Sequence, residues 1–241
     1  MKISLIIPAY NEEKGILQAL EQFKDVHDDD FEIIVSDNGS TDKTREKAYQ
    51  VADAVIHLPS DKRSTIGECR NRGARAASGD ILWFIDADVR IPKIKQILFE
   101  IRDLFKDNKN IVAATIPITI YPEDVKFWDK FWFGFTNMMT YLQNRITKTG
   151  GAPGDCQIIR SSTFQKLEGF NPIMATSEDH ELFQRLAKQG EIQVFSKYYI
   201  EMSARRIHRD GWPKILWQWG RNWFNQFILH KVDKGEWEAR R

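Results

Sequence analysis

Residues 81–88 read ILWFIDAD: five apolar side chains, then two carboxylates, Asp86 and Asp88, one residue apart. An unbroken apolar run of this length, bounded by polar residues, reads as a strand buried on both faces, the kind that parallel sheets use. Similar runs stand upstream at residues 3–7, 31–35 and 54–58, separated by helical patterns at 16–23, 42–52 and 65–77. Strands alternating with helices predict an α/β fold with a mostly parallel central sheet and helices on both faces. In open sheets of this kind ligands bind beyond the C-terminal ends of the strands. Asp86 and Asp88 stand at such an end.

Downstream the pattern is less regular. A helix at 93–105 and a strand at 111–116 precede the segment 126–146, where Trp128, Phe131, Trp132, Phe135, Met138, Met139, Leu142 and Ile146 recur at three and four residues. That spacing predicts an aromatic-rich helix face. A glycine-rich loop at 150–155 and a short strand at 157–159 follow. Residues 177–190 read as a helix with Ser177 at its N-cap, acids in its first turn and Gly190 at its end. A strand at 192–199 and a Trp-rich helix at 212–229 complete the pattern, giving an aromatic-rich C-terminal helical part.

Bulk properties exclude several classes. The chain has 241 residues, 42% hydrophobic and 29% charged, which is globular composition. Lys and Arg number 35 against 34 Asp and Glu, a formal net charge of +1, so the basic excess of a nucleic-acid binder is missing. Two cysteines, Cys69 and Cys156, give neither a disulfide framework nor metal-ligand spacing, as suits a reducing compartment. The opening MKISLIIPAYNEE has too short an apolar stretch for a signal peptide, and no run reaches the ~18 apolar residues of a membrane span. The expectation is a soluble or peripheral cytoplasmic protein.

Taken alone, Asp86-Ala87-Asp88 has three readings: a divalent metal site, an acid/base pair, or helix capping. Two carboxylates suit Mg²⁺ or Mn²⁺, hard cations whose shells are often completed by substrate phosphates and water. Other strand ends add to the picture. Pro8-Ala9-Tyr10-Asn11-Glu12 follows the first run, Asp37-Asn38-Gly39-Ser40-Thr41-Asp42 the second, and Arg70-Asn71-Arg72-Gly73 lies in the third helix. Further on stand Gly154, Arg160, Phe164, Gly169-Phe170 and Glu178-Asp179.

In this order and spacing the motifs resemble family 2 glycosyltransferases of the GT-A fold, from residue 2 to about 190. The resemblance implies one domain over 1–241, with a nucleotide-binding half at 1–90 and an acceptor-binding half at 91–241. It implies a nucleotide pocket lined by Pro8, Ala9, Tyr10 and Glu12, Asp37 bonded to the base, and Arg70 on base or phosphate. Asp86, with Ala87 beside it, would sit by the ribose or the ion, and Asp88 would ligate the metal on the diphosphate. Asp179 matches the family's general base, with Glu178 beside it. His208 is a candidate third ligand, and Arg205 or Arg206 would neutralise phosphate. The reaction implied is metal-assisted, inverting transfer of one sugar from a UDP- or GDP-sugar to a glycan or lipid-linked acceptor. Chemistry agrees: an expelled diphosphate needs positive charge, and an acceptor hydroxyl needs a base.

Plainer readings stand beside these roles. Asp37 also suits a turn, and Asp42, Glu178 and Asp179 suit helix starts. Pro8 and Tyr10 fit a tight turn, Arg72 and Arg75 a solvated face, and His208 the surface. Asn38 stands where the family usually has a second Asp and receives no role. Gln218-Trp219-Gly220-Arg221-Asn222 resembles a processive-synthase signature, but Asn222 replaces its tryptophan, which implies non-processive transfer. Two other functions compete: a sugar nucleotidyltransferase, against which stands the lack of a Gly- and Lys/Arg-rich loop after the first strand, and a non-catalytic nucleotide-binding protein, against which stand Asp88 and Asp179. Finally, residues 127–146 and 212–229 carry more Trp and Phe than a core helix needs, interspersed with basic residues. They either cover the sheet or meet a membrane interface.

Overall fold

The computed structural model describes residues 1–227. The chain runs β1 (Ile3–Ala9), α1 (Ile16–Glu21), β2 (Phe31–Asp37), α2 (Thr44–Ala48), β3 (Ala54–His57), α3 (Ile66–Ala76) and β4 (Ile81–Ile85). It continues with β5 (Val89–Arg90), α4 (Ile94–Asp107), β6 (Ile111–Thr115), β7 (Ile118–Ile120), α5 (Phe127–Arg145), β8 (Cys156–Arg160) and α6 (Ser161–Lys166). The last elements are α7 (Glu178–Ala187), β9 (Glu191–Val194), β10 (Ile200–Met202), α8 (Arg205–Asp210) and α9 (Trp212–Phe227).

The seven-stranded sheet has the order β3-β2-β1-β4-β8-β6-β9. β8 runs antiparallel to both its neighbours, and the other pairs are parallel. All five residues of β4 are buried, and alternate side chains enter opposite cores. Ile81, Trp83 and Ile85 join Leu20, Ile97 and Phe105 on one face, while Leu82 and Phe84 join Phe170, Leu182 and Phe183 on the other. That two-sided burial is why the run carries no polar alternation. Helix α3 lies flush on β1: a Cβ at Gly73 would stand 2.5 Å from Ile6 Cγ2. The α/β architecture read from the sequence is therefore present, with helices on both faces.

Several boundaries differ. The segment 192–199 is not one strand: β9 stops at Val194 and the chain turns, with Tyr198 N donating to Phe195 O at 3.1 Å. It then enters β10, which pairs with β5 and β7 in a separate three-stranded sheet. The turn contains no Gly or Pro, and strands of two or three residues are too short to show a period. Ser177 adopts left-handed backbone (φ 61°) and its side chain makes no capping bond. A side-chain cap is instead found on α3, where Thr65 accepts from Glu68 N. Residues 228 and 229 of the expected last helix lie outside the described residues.

Candidate active site

β1 and β2 end level with each other, Ala9 opposite Asp37, so their following loops lie side by side. Asn11 (φ 52°) turns the first loop, which is then stitched to the second. Asn11 N donates to Ser40 Oγ (2.7 Å), Glu12 N to Thr44 Oγ1 (2.6 Å), and Thr41 N to Asn11 Oδ1 (2.8 Å). Tyr10 receives a bond from Arg63 Nη2 at 2.8 Å, and the same guanidinium covers its ring. Gly39 (φ 79°) must be a glycine, since a Cβ there would stand 2.5 Å from Lys62 O. Asp37 is fully buried: Oδ2 accepts from Gly39 N and Ser40 N, whereas Oδ1 is buried without a partner. Asn38, left without a role by the sequence, ties this loop to Ser64 through bonds in both directions. Arg72 is not a solvated side chain either; it bonds Ser64 Oγ, Asp37 O and Asn38 Oδ1.

Arg70 departs most from its expected role. Rather than presenting its guanidinium to a ligand, it is 2% exposed. Nη1 donates to Glu178 Oε1 (2.7 Å), and Nη2 donates to both Asp86 Oδ1 (3.0 Å) and Gly154 O (3.0 Å). One arginine thus joins the end of β4, the start of α7 and the 150–155 loop. Burial works against its charge, but Asp86, Glu178 and Asp179 together raise its pKa above the usual value. The same cation serves several acids and satisfies none completely. Burial and neighbouring Asp179 push Glu178 up to about 7, with Arg70 opposing. Burial, Asp86 and Asp88 lift Asp155 well above the usual carboxylate range. Asp155 has no strong sequence signal; its importance comes from the loop bringing it beside the Asp86–Asp88 pair.

Asp88 is likewise raised, by burial and then by Asp86, with Arg205 pulling the other way. Arg205 Nη2 stands 3.5 Å from Asp88 Oδ2, and Tyr121 Oη donates to Asp88 O at 2.6 Å. Asp179 is partly buried beside this cluster and accepts from His180 N at 2.7 Å. A Cβ at Gly154 would come within 3.1 Å of Asp179 Oδ2, so glycine leaves the carboxylate room. Asp86, Asp88, Asp155, Glu178 and Asp179 thus share two arginines, Arg70 and Arg205, a local excess of negative charge that a cation could offset.

The third-ligand role for His208 does not match the geometry. Its Nε2 lies 2.9 Å from Asp129 Oδ2, on a residue that also accepts from Trp212 Nε1 at 2.6 Å. Among the described residues no three His, Cys, Asp or Glu side chains form a ready ion cage. A cation at Asp86 and Asp88 would depend on phosphate oxygens and water for the rest of its shell.

Comparison with known proteins places this geometry in context. Residues 4–168 match the family model described as glycosyl transferase family 2. The "Probable glycosyltransferase YdaM" of Bacillus subtilis is 26% identical over 95% of this chain. The chain spans 56% of that relative's length. A dolichyl N-acetyl-alpha-D-glucosaminyl phosphate 3-beta-D-2,3-diacetamido-2,3-dideoxy-beta-D-glucuronosyltransferase of Methanococcus voltae is 25% identical, over 89% of this chain and 76% of its own. Among solved structures, the mannosyltransferase PcManGT from Pyrobaculum calidifontis, in complex with GDP-Man and Mn²⁺, superposes with a TM-score of 0.66. It is 18% identical, over 97% of this chain and 66% of that one, a likeness of fold alone.

Proposed function

The chain belongs to glycosyl transferase family 2, and from that premise we propose that it transfers one sugar from a nucleoside diphosphate sugar to an acceptor hydroxyl or lipid phosphate, with inversion at the anomeric carbon. The observation that carries this reading is the Arg70 junction. It brings Asp86 of the Asp-x-Asp pair, Glu178 beside Asp179, and the 150–155 loop together beyond the C-terminal end of β4, the central strand of the sheet.

Each group then has a task. The level ends of β1 and β2 form a ledge for the nucleoside, with Pro8, Ala9, Tyr10 and Glu12 on one side. Asp37, at the end of β2 with Oδ1 unpartnered, is the acceptor for the base's N–H once a side-chain shift opens it to the ledge. Asp86 and Asp88 would hold Mn²⁺ or Mg²⁺, which when bound supplies positive charge against the diphosphate. Arg205, 3.5 Å from Asp88 with its side chain 63% exposed, is placed to turn to phosphate. Asp179 takes the proton of an acceptor hydroxyl as its oxygen bonds the anomeric carbon. The bond from that carbon to the diphosphate oxygen breaks, and the electron pair leaves with the nucleoside diphosphate. Arg70 is a positioning residue, holding Asp86 and Glu178 at fixed separation. The lipid acceptor is supported by the dolichyl-linked substrate named for the Methanococcus relative.

The test is incubation with UDP- and GDP-sugars and Mn²⁺, reading release of nucleoside diphosphate. One donor is expected to be consumed, and Asp88→Ala to abolish metal-dependent donor binding while the melting temperature of the donor-free protein stays within a few degrees. Pyrophosphate-dependent formation of nucleoside triphosphate would instead identify a nucleotidyltransferase. Undiminished Mn²⁺ dependence in Asp88→Ala would remove that residue from the metal site.

A further inference from the structure

Two helices reverse the usual distribution of apolar groups. α5 exposes Phe127 (75%), Trp128 (59%) and Phe131 (53%), and α9 exposes Trp217 (63%) and Trp219 (40%). All of these rings but Trp217 belong to one connected chain. Phe127, Trp128, Phe131 and Trp132 meet in sequence with centroids 5.5, 6.0 and 5.1 Å apart. Trp132 then reaches Trp212 across the helices at 6.1 Å, and Trp212 reaches Trp219 at 6.2 Å. Asp129 fixes the arrangement. It caps α5 through Lys126 N (2.8 Å) and is bonded to His208 and Trp212, so α5, α8 and α9 share one buried carboxylate.

Charge tells what this surface faces. Asp129 is the one acid within α5, it is 1% exposed, and α9 contains none. Beside the rings stand exposed Lys126 and Lys130, and Arg221, whose guanidinium lies 5.0 Å from the Trp217 ring centroid. Asp210, the last residue of α8, is already paired with Arg209 and Lys214. A second copy laid on this face would oppose like charges with no carboxylate from either helix to pair them. An anionic lipid surface supplies both missing parts: phosphates for the cations, and a boundary where Trp rings bury their faces and keep N–H groups wet. No described helix is long and apolar enough to cross a membrane, so the face would lie on the bilayer.

We propose that α5 and α9 form a docking surface for an anionic phospholipid bilayer. The surface is tied to the catalytic site through α8, which starts with Arg205 at Asp88 and three residues later sets His208 on Asp129. Docking therefore holds the Asp86–Asp88 strand end next to the headgroups, where a lipid-linked acceptor would present its reacting oxygen. Only this last step rests on the glycosyltransferase reading.

Co-sedimentation with vesicles of phosphatidylcholine, with and without phosphatidylglycerol, tests the surface without requiring turnover. Binding is expected to need phosphatidylglycerol, to weaken as salt rises, and to blue-shift tryptophan fluorescence. The triple variant Trp128→Ser, Phe131→Ser, Phe135→Ser is expected to lose roughly tenfold or more in vesicle partitioning, since each removes a ring from the interface. Its donor hydrolysis and circular dichroism melt should stay near the parent's, because all three side chains are exposed. Lys126→Glu with Lys130→Glu should weaken binding at low salt. Absence of vesicle binding by the parent chain at low salt, or equal binding by the triple variant, would overturn the proposal. So would a solution dimer by light scattering that the triple variant converts to monomer, since the face would then be a contact between copies. Vesicle binding without any donor consumption would leave the docking surface standing and remove the enzymatic reading.

Discussion

The strand end at Asp86 and the face of α5 break the usual rules of burial in opposite senses. Around Arg70, charged groups are buried: the guanidinium is 2% exposed and Glu178 6%. On α5, Phe127 is 75% exposed and Trp128 59%. Both arrangements depart from what a chain alone in water favours, and they differ in where the compensation lies. At the strand end, much of it is internal, because Arg70 supplies three bonds to groups on three segments. The α5 face has no internal counterpart, since its single acid is spent on capping and on His208. A buried charge without its partner costs several kcal/mol, whereas an exposed ring costs folding little and leaves free energy available to a surface that covers it.

The strongest way to break this contrast is to remove the internal partner. Arg70→Met leaves Glu178 and Asp86 facing a neutral side chain, and about 3–5 kcal/mol of folding free energy should be lost, as when one member of a buried pair is deleted. Urea denaturation measures it. A loss of under about 1 kcal/mol would put the junction in the class of surface pairs. Turnover should fall with it, because the same residue spaces Asp86 from Glu178.

Asp179→Asn sharpens the comparison within the site. The carboxylate proposed above as the base accepts none of Arg70's hydrogen bonds, so on that reading transfer should drop by roughly two or more orders of magnitude. Donor affinity by calorimetry and the melting temperature should remain near the parent's. If turnover persists, Asp155, raised by Asp86 and Asp88 and lying in the adjacent loop, is the next group to replace.

The smallest effect belongs to the other region. Phe131→Ser should change stability by no more than about 1 kcal/mol, because the side chain is 53% exposed and its ring contacts are to Trp128 and Trp132 on the same helix. A loss of 2 kcal/mol or more, on the scale of a ring removed from a core, would show that the α5 aromatics support the fold after all.

The local rules in this chain are readable because they are written in neighbouring residues. The run at 81–85 had to be a two-sided buried strand, since it carries no polar alternation, and Asp86 and Asp88 had to emerge at its end. The aromatic spacing in 126–146 predicts a helix, and α5 is one. Asp88 and Asp179 stand out only through the resemblance carried by the order of the motifs, because an acid at a strand end or helix start suits a turn or a cap equally well. Partner choice was not readable. Arg70 is 108 residues from Glu178 and 84 from Gly154, and a periodicity has no information at that range. The same reason explains why His208 reads equally well as a ligand or a surface residue, until the packing of α8 against α5 gives it Asp129, 79 residues away. Burial is also a property of the assembled layers. A stripe of Trp and Phe has the same spacing whether it enters the core or leaves it, and only the docking of α5 by Phe133 and Asp129 turned Phe127, Trp128 and Phe131 outward. By itself the sequence determined most of the helices and longer strands, the strand end at Asp86 and the kinds of group there, because each depends on the order of adjacent side chains. The tertiary structure decided which charges meet and which rings stay in water, because those depend on distances between segments far apart in the chain.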